Sequence, residues 1–457
     1  MDDKHCFKSI IGRVLLVFLI SLSLIKTAEA RSFIFVNNCS YPVWFGLVGG
    51  ANTPKPANGN YQLPPGGRNT ATIPAGTWSG VIAGRTNCAT GRCETGDCGG
   101  SNTGPCTRGF QPPTTQAEFT VRSNDTDYYD VSVINGINMG VSVTPSIGSK
   151  ASLPYFCGSP GSGTPSAGLA GCSWKFTPPL VEYNWVAYGG KACTANGDCA
   201  SGTQCGLGFD PVLNGFKKTC GRQLGYWTAN QVCGVQRSFG APFYCSAAIP
   251  QGGILWNLMA CNGNSGAQRS CYTAGASATC CGCVNWDKIG VPVPPGPITA
   301  QCVNSNPVWV DRVRPTLDWL KRACPTAYTY PYDDHSSTFI CKSPTAANTV
   351  DYTITFCPTG GVNPPLPDGK CLPPANIKST YTANKKQVTL TWDKPANAET
   401  ISTYQVNDWL DRQIWRGVER TFIDKSLPGT NGKFTYFLYS NCPSGRSPRV
   451  QYDVVIK

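Results

Sequence analysis

Short segments rich in β-branched and aromatic residues, in which apolar and polar positions tend to alternate, dominate the first third of the chain. They are bounded by glycine, proline or asparagine, which is typical of strands joined by turns. The segments are Ser32–Val36, Tyr41–Leu47, Asn69–Ile73, Gly80–Ala83, Ala117–Val121 and Tyr128–Val133, and Asp351–Phe356 far downstream. The pattern predicts a mainly β fold, either a sandwich or a barrel.

The central part of the chain lacks this pattern. Residues 157–341 hold 16 of the 25 cysteines, set among glycine, serine, proline and asparagine. The best helical pattern covers Pro307–Ala323, where Trp309 and Val313 share a face and Pro315 is expected to kink the helix. We expect cross-links rather than a large apolar core to hold this region.

A second β unit follows a linker rich in proline and glycine. The linker covers residues 359–373, and the unit covers residues 374–457. Its alternating segments are Gln387–Trp392, Ile401–Val406, Lys433–Tyr439 and Val450–Ile456. They predict another sandwich.

The N-terminus predicts export from the cell. Residues 1–13 are basic, residues 14–25 are uncharged and apolar, and Ala28-Glu29-Ala30 forms a small-residue cleavage site. This is the pattern of a signal peptide over residues 1–30, since the apolar run is shorter than the roughly 20 residues that span a membrane. We therefore expect a secreted, extracellular protein without a membrane span.

Cysteine, histidine and charge exclude several classes of function. Cleavage would remove Cys6 and leave 24 cysteines, an even number that indicates disulfides. His335 would be the single histidine of the mature chain, so we expect no metal and no cofactor. We expect His335 to be an exposed loop residue rather than a catalytic base. The net charge of +12 is scattered, so nucleic acid is not an expected partner.

Several motifs together resemble the thaumatin-like protein family. They include the opening segment Phe33–Trp44, the block Gly84–Gly100, the segment Pro112–Phe119 and the segment Ala323–Tyr330. The resemblance implies a β-sandwich, a disulfide-rich second domain and a cleft between them, over residues 31–358. The region 157–341 is longer than in compact plant members and is similar to that of enlarged, non-plant members.

The resemblance also implies residues for the cleft. Three of the four acidic cleft residues of the family match Glu118, Asp130 and Asp333, whereas the fourth matches Asn135 and the family's arginine matches Val81. Aromatic candidates for sugar binding are Tyr128, Tyr129, Trp227 and Trp286, although packing is the commoner role of each such ring.

Disulfide pairs follow from the same resemblance. It implies Cys39–Cys357, Cys88–Cys93, Cys98–Cys106, Cys157–Cys341, Cys172–Cys324, Cys271–Cys280 and Cys281–Cys302. The C-terminal unit resembles a fibronectin type III domain, in which Cys371–Cys442 would be an added link. The eight remaining cysteines allow 105 pairings and are left open.

Two functions are compatible with these residues. The first is binding of β-1,3-glucan or a related cell-wall polysaccharide, with antifungal or defence-related action. Glu118 and Asp130 would then be the catalytic pair of a weak endo-β-1,3-glucanase, if the protein is an enzyme. The alternative is a protein-binding module, such as an inhibitor of secreted hydrolases, that acts through residues 157–341. We expect a monomer in either case.

Overall fold

The computed structural model describes the chain from Ala30 to Ile456 with several gaps. Outside the described residues are 1–29, 89–90, 101–103, 165–167, 251, 263–269, 273–278, 294–301, 303–305, 361–370, 396–399, 409–411, 427–431, 443–444, 448–449 and 457. The predicted signal peptide, up to residue 29, and most of the predicted linker therefore lie outside the described residues.

Strands dominate the described part of the chain before residue 360. In chain order they are β1 (Ser32–Asn37), β2 (Val43–Gly49), β3 (Gln62–Leu63), β4 (Arg68–Thr72), β5 (Thr77–Arg85), β6 (Gln116–Arg122), β7 (Asp127–Ser132), β8 (Val141–Pro145), β9 (Asn184–Val186), β10 (Gln204–Asp210), β11 (Gly215–Gly221), β12 (Gln223–Tyr226), β13 (Phe339–Cys341) and β14 (Tyr352–Phe356). The predicted early strands fall on these elements.

Two of the sheets form a sandwich. A four-stranded sheet of order β4-β1-β14-β8 lies against a six-stranded sheet of order β13-β7-β6-β5-β2-β3. Phe35 of one sheet stacks on Phe45 of the other, with ring centroids 4.1 Å apart. The inner residues alternate with outward residues along each strand, so the outer face of the six-stranded sheet is available to carry a site.

A third sheet lies in the cysteine-rich region, where the sequence predicted little regular structure. Its order is β11-β10-β9-β12, and β10 and β11 form a hairpin whose tip is Pro211–Asn214. The disulfides Cys193–Cys205 and Cys199–Cys220 tie this hairpin to the segment before it. Glycine and cysteine fill many of its strand positions, which is why the hydrophobic alternation is weak there.

The helices are short. They are α1 (Ala229–Val235), α2 (Leu255–Met259), α3 (Asp318–Ala323) and α4 (Asp334–Ser337), with 3-10 turns at Val181–Tyr183, Asn196–Asp198, Trp286–Ile289, Arg314–Thr316 and Ala383–Lys385 and a π-helical turn at Trp309–Val313. The segment predicted as one kinked helix over residues 307–323 is thus divided around Pro315, which cannot donate a backbone hydrogen bond. In the described part of the chain no helix has the length and apolar character needed to cross a membrane.

The C-terminal residues form a separate Ig/fibronectin-like sandwich. Its strands are β15 (Ala375–Thr382), β16 (Gln387–Asp393), β17 (Thr403–Asn407), β18 (Gln413–Gly417), β19 (Thr421–Asp424), β20 (Gly432–Cys442), β21 (Gly445–Arg446) and β22 (Val450–Ile456). One sheet has the order β15-β16-β19, and the other has β18-β17-β20 with β21 and β22 paired to β20. Trp392, Tyr404 and Leu438 belong to the core between them.

Twelve disulfides link all 24 cysteines of the described residues, and seven of the eight expected pairs are present, six from the thaumatin-like resemblance and one from the C-terminal unit. Those seven are Cys39–Cys357, Cys88–Cys93, Cys98–Cys106, Cys157–Cys341, Cys172–Cys324, Cys271–Cys280 and Cys371–Cys442. The cysteines whose pairing was left open form, among others, the two disulfides of the β10–β11 hairpin and Cys233–Cys245.

The expected pair Cys281–Cys302 is wrong. Cys281 is bonded to Cys261, which follows α2, and Cys302 is bonded to Cys283. Gly282, at φ +55°, separates the two cysteines, and a side chain there would meet the Trp309 ring. Because residues 280, 281 and 283 are cysteines on one turning backbone, their spacing could not decide which one faces which partner.

Candidate functional site

Glu118 and Asp130 lie directly opposite each other on the outer face of the six-stranded sheet. Glu118 of β6 pairs in register with Asp130 of β7, whereas their neighbours Phe119 and Tyr129 are buried in the sandwich core. Residues in such a cross-strand pair have Cβ atoms roughly 4.5–5.5 Å apart. The fold therefore brings the two predicted catalytic carboxyl groups together.

The environment of this pair opposes ionisation. Burial raises the pKa of Glu118 above its usual value. Burial, followed by the charges of Glu118 and Asp334, raises the pKa of Asp130 well above its usual value. Oδ1 of Asp130 is also buried without a hydrogen-bond partner among the described residues. Because two close carboxylates repel each other, the pair retains a proton to higher pH than separate acids would.

An apolar cluster occupies the side of Glu118 away from Asp130. Val81 of β5 pairs in register with Glu118. The family resemblance matches this position to an arginine. Val81 packs with Val48 and Phe110 against a disulfide. The substitution replaces a cation that would favour ionised Glu118 with a surface that excludes water, which agrees with the raised pKa of Glu118.

A third acid, Asp334, extends the pair and was not predicted from the sequence. The Tyr328 hydroxyl donates to Oδ1 of Asp334 over 2.9 Å and also contacts the Thr338 hydroxyl. Tyr328 lies beside β7, bridged to Ser132, and burial, followed by the charges of Asp130 and Asp334, raises its pKa. The surface formed by Glu118, Asp130, Asp334, Tyr128 and Tyr328 is called the acidic face below.

The structure does not bring Asp333 to this face, contrary to expectation. Asp333 is fully buried and accepts hydrogen bonds from Lys321 Nζ at 2.9 Å and Trp286 Nε1 at 2.7 Å. The backbone and hydroxyl of Thr329 and the hydroxyl of Ser336 also donate to it. These contacts make Asp333 a structural acid that joins three segments of the cysteine-rich region.

The tyrosines at 128 and 129 point in opposite directions, as neighbours on a strand must. Tyr128 is 43% exposed and lies on the same side of β7 as Asp130, with the Arg122 guanidinium 5.5 Å from its ring. Tyr129, expected in the cleft, is buried instead, and its hydroxyl donates to the Gly158 carbonyl. Asn135 lies at the edge of the acidic face, where its amide donates to Gln116 Oε1 over 3.0 Å.

The other aromatic and titratable candidates lie off the acidic face or are packed. Trp227 and Trp286 are both buried. His335 is partly buried rather than exposed, and its ring stacks on Tyr272. Three cysteine sulfur atoms, those of residues 193, 199 and 220, lie close enough together to hold a metal ion, but all three belong to disulfides.

The architecture defines a class of protein: a disulfide-linked β-sandwich with an acidic outer face, a cysteine-rich extension and an appended β-sandwich. The profile of the Thaumatin family matches residues 37–233 and 311–358, which is more than half of the chain. The chain belongs to the thaumatin family. The unmatched stretch between these two parts falls inside the enlarged cysteine-rich region.

Similar proteins include pathogenesis-related proteins of plants. The chain is 27% identical to pathogenesis-related thaumatin-like protein 3.5 of Cryptomeria japonica over 338 residues, covering 73% of this chain and 92% of that protein. It is 28% identical to pathogenesis-related protein 5 of Arabidopsis thaliana over 354 residues, covering 76% and 99%. The match to a solved structure described as "Structure of FN3tt mut" covers 18% of this chain and 91% of that chain. The sequence identity is 19% and the TM-score is 0.16.

Proposed function

We propose that this thaumatin-family protein is a secreted, defence-related protein that binds β-1,3-glucan or a related cell-wall polysaccharide on its acidic face. The main support for this proposal is the cross-strand pair of Glu118 and Asp130, which is partly desolvated and lies beside the exposed Tyr128. Twelve disulfides fit an oxidising compartment outside the cell. The pathogenesis-related names of similar proteins support the defence role.

The chemistry of the acidic face suits a neutral sugar chain. A carboxyl group that keeps its proton can donate to a hydroxyl group, and an ionised one can accept from it. The Tyr128 ring offers an apolar surface for a sugar ring. Ser79 and Thr120 hydrogen-bond to each other over 3.0 Å on the same face and add hydroxyl groups beyond Tyr128.

A pull-down with insoluble β-1,3-glucan tests this proposal. We expect enrichment over cellulose and chitin, and at least a tenfold loss of affinity in Glu118→Gln and in Tyr128→Ala. Asp393→Asn is the matched control, because Asp393 is an exposed acid of the C-terminal sandwich, where it accepts a hydrogen bond from the Asn376 amide. Equal retention on all three polysaccharides, or full binding by both site variants, would rule out glucan binding at this face.

Weak hydrolysis is a second activity of the same site, favoured by the raised pKa values of both acids. Glycoside hydrolysis needs one carboxyl group that keeps its proton and another that is ionised. We expect Glu118→Gln to abolish release of reducing sugar while the thermal transition is retained. Full activity in that variant would exclude the Glu118–Asp130 pair as the catalytic groups.

The alternative, protein binding through residues 157–341, has one specific observation in its favour. Val212 and Leu213, at the tip of the β10–β11 hairpin, are 57% and 62% exposed. Apolar side chains on a disulfide-linked hairpin offer a contact surface for a secreted hydrolase. The double variant Val212→Ser and Leu213→Ser would lose hydrolase inhibition while keeping glucan binding if this alternative holds; unchanged inhibition would exclude the tip.

A further inference from the structure

A cavity of about 450 Å³, lined by none of the residues of the acidic face, lies where the cysteine-rich region meets the C-terminal sandwich. Its walls come from the loop that holds Glu94 and Asp97, from the sheet that carries Trp185 and Tyr188, and from Tyr439 of β20. We infer that this junction cavity is a second binding site, and that its ligand is a neutral saccharide. Neither the proposed function nor the family match assigns a role to it.

The aromatic wall is held rigidly before any ligand arrives. Trp185 packs on Trp227 with ring centroids 5.5 Å apart, and Trp227 Nε1 donates to the Leu207 carbonyl over 3.1 Å. The Tyr188 hydroxyl donates to Asp210 over 2.6 Å, which fixes the ring at the cavity. Fixed rings lose little conformational freedom on binding, so they suit stacking against a sugar ring.

The polar wall is equally well ordered. Glu94 is paired with Arg222 at 2.6 Å and accepts from the Asn87 amide at 2.6 Å. Asp97 is paired with Arg108 at 2.5 Å, and Arg92 lies 3.8 Å from the same carboxylate. Each carboxylate therefore has its charge balanced while retaining further lone pairs for a hydroxyl donor.

This combination selects against other ligand classes. A lipid or another purely apolar ligand would cover the carboxylates and the guanidinium group. These groups would lose their hydrogen bonds to water and gain none from the ligand. Glu94 and Asp97 would repel a free anion, and Arg92 would repel a free cation. A neutral molecule with apolar ring faces and many hydroxyl groups fits both walls, and the volume lies in the usual range of small-ligand sites, roughly 300–1,000 Å³.

The C-terminal sandwich contributes directly to the cavity. Tyr439 lies on the outer side of β20, since its neighbour Leu438 points into the core of the sandwich. Tyr439 is nevertheless only 4% exposed. Ser447, which follows β21, also lines the cavity. The appended sandwich is therefore part of this site rather than a simple spacer.

Calorimetric titration of the full-length protein tests the inference independently of the acidic face. The starting protein is Glu118→Gln, and the probes are the hexasaccharides of β-1,3-linked glucose, β-1,4-linked glucose and β-1,4-linked N-acetylglucosamine. We expect at least one probe to bind, and Tyr188→Ala in this background to weaken that probe at least tenfold. Tyr188→Phe, which keeps the ring, should stay within about threefold of the parent.

Two further variants complete the design. Gln111→Ala removes an exposed side chain at the cavity and should weaken binding several-fold even if Tyr188→Ala fails to fold. Tyr244→Ala removes a tyrosine that is 50% exposed and does not line the cavity, so it should leave binding unchanged. The inference is overturned if none of the three probes binds the Glu118→Gln protein, or if the cavity variants bind as well as the Tyr244→Ala control.

Discussion

Asp130 and Asp333 both have carboxyl oxygens that are shielded from water, yet their surroundings differ in kind. Asp333 contacts Lys321 and accepts bonds from an indole, hydroxyls and a backbone amide. Asp130 faces another carboxyl group and has a buried oxygen without a partner among the described residues. A buried acid with a full set of partners stabilises structure, whereas a buried acid without them is costly and persists where a ligand or a reaction uses it.

The largest expected effect comes from breaking the satisfied site. Lys321→Met leaves Asp333 buried without its cation, which should lower the free energy of unfolding by about 3–5 kcal/mol. Denaturation with the disulfides intact measures this loss. Lys175→Met, at an exposed lysine, is the control. A loss below about 1 kcal/mol would mean that Asp333 does not depend on the ion pair.

A smaller loss is expected when one neutral donor is removed from the same acid. Trp286→Phe keeps most of the ring volume but deletes the Nε1 donor 2.7 Å from Asp333. Since hydrogen bonds to charged groups contribute about 1.5–3 kcal/mol, we expect a loss in that range from the same denaturation measurement. A loss equal to that of Lys321→Met would contradict the ranking of cation above neutral donor.

The opposite sign is expected at the acidic face. Asp130→Asn removes a carboxyl group whose ionisation burial opposes, so it should stabilise the protein at pH 7. In the wild type, protonation of Glu118 and Asp130 stabilises the fold fully below their ordinary pKa values of 4.5 and 3.8. That contribution is lost as the pH rises through the raised values.

The pH dependence gives the measurement for this effect. Thermal unfolding of wild type and Asp130→Asn from pH 3 to 8 should give curves that diverge as the pH rises, with the variant the more stable at the alkaline end. Other carboxyl groups affect both proteins equally and cancel in the difference. Curves that run parallel over this range would show that Asp130 is not destabilised by its surroundings.

The smallest effect is expected from restoring the family's cation. Val81→Arg places a guanidinium beside Glu118, which should lower the pKa of Glu118, although the larger side chain strains the contact with Phe110. Chemical-shift titration of the Glu118 carboxyl group follows this change. Val81→Met, of similar bulk without charge, should leave the pKa raised; a fall in both variants would implicate packing rather than charge.

The paired acids Glu118 and Asp130 could be predicted from the sequence, but the third acid of the face could not. Asp333 was expected there, and Asp334 occupies the position. Glu118 and Asp130 were predicted from the family resemblance, and the alternation of the strands that carry them agrees with their shared face. Asp333 and Asp334 are adjacent on a turn, and burial of the first depends on Trp286 and Lys321, which only the tertiary fold brings near. The sheet β9–β12 was missed for a related reason, because glycine and cysteine carry no clear hydrophobic period.

The bond between Cys39 and Cys357 makes the backbone between them a closed covalent ring, with Cys157–Cys341 and Cys172–Cys324 nested inside it. A protease that cuts one exposed loop of this ring opens it without releasing a fragment. Cleavage at the hairpin tip, at Val212 and Leu213, would therefore leave the two cut ends covalently joined through Cys199–Cys220. Such a molecule tolerates nicking in surroundings rich in hydrolases, where a linear chain would lose pieces after each cut.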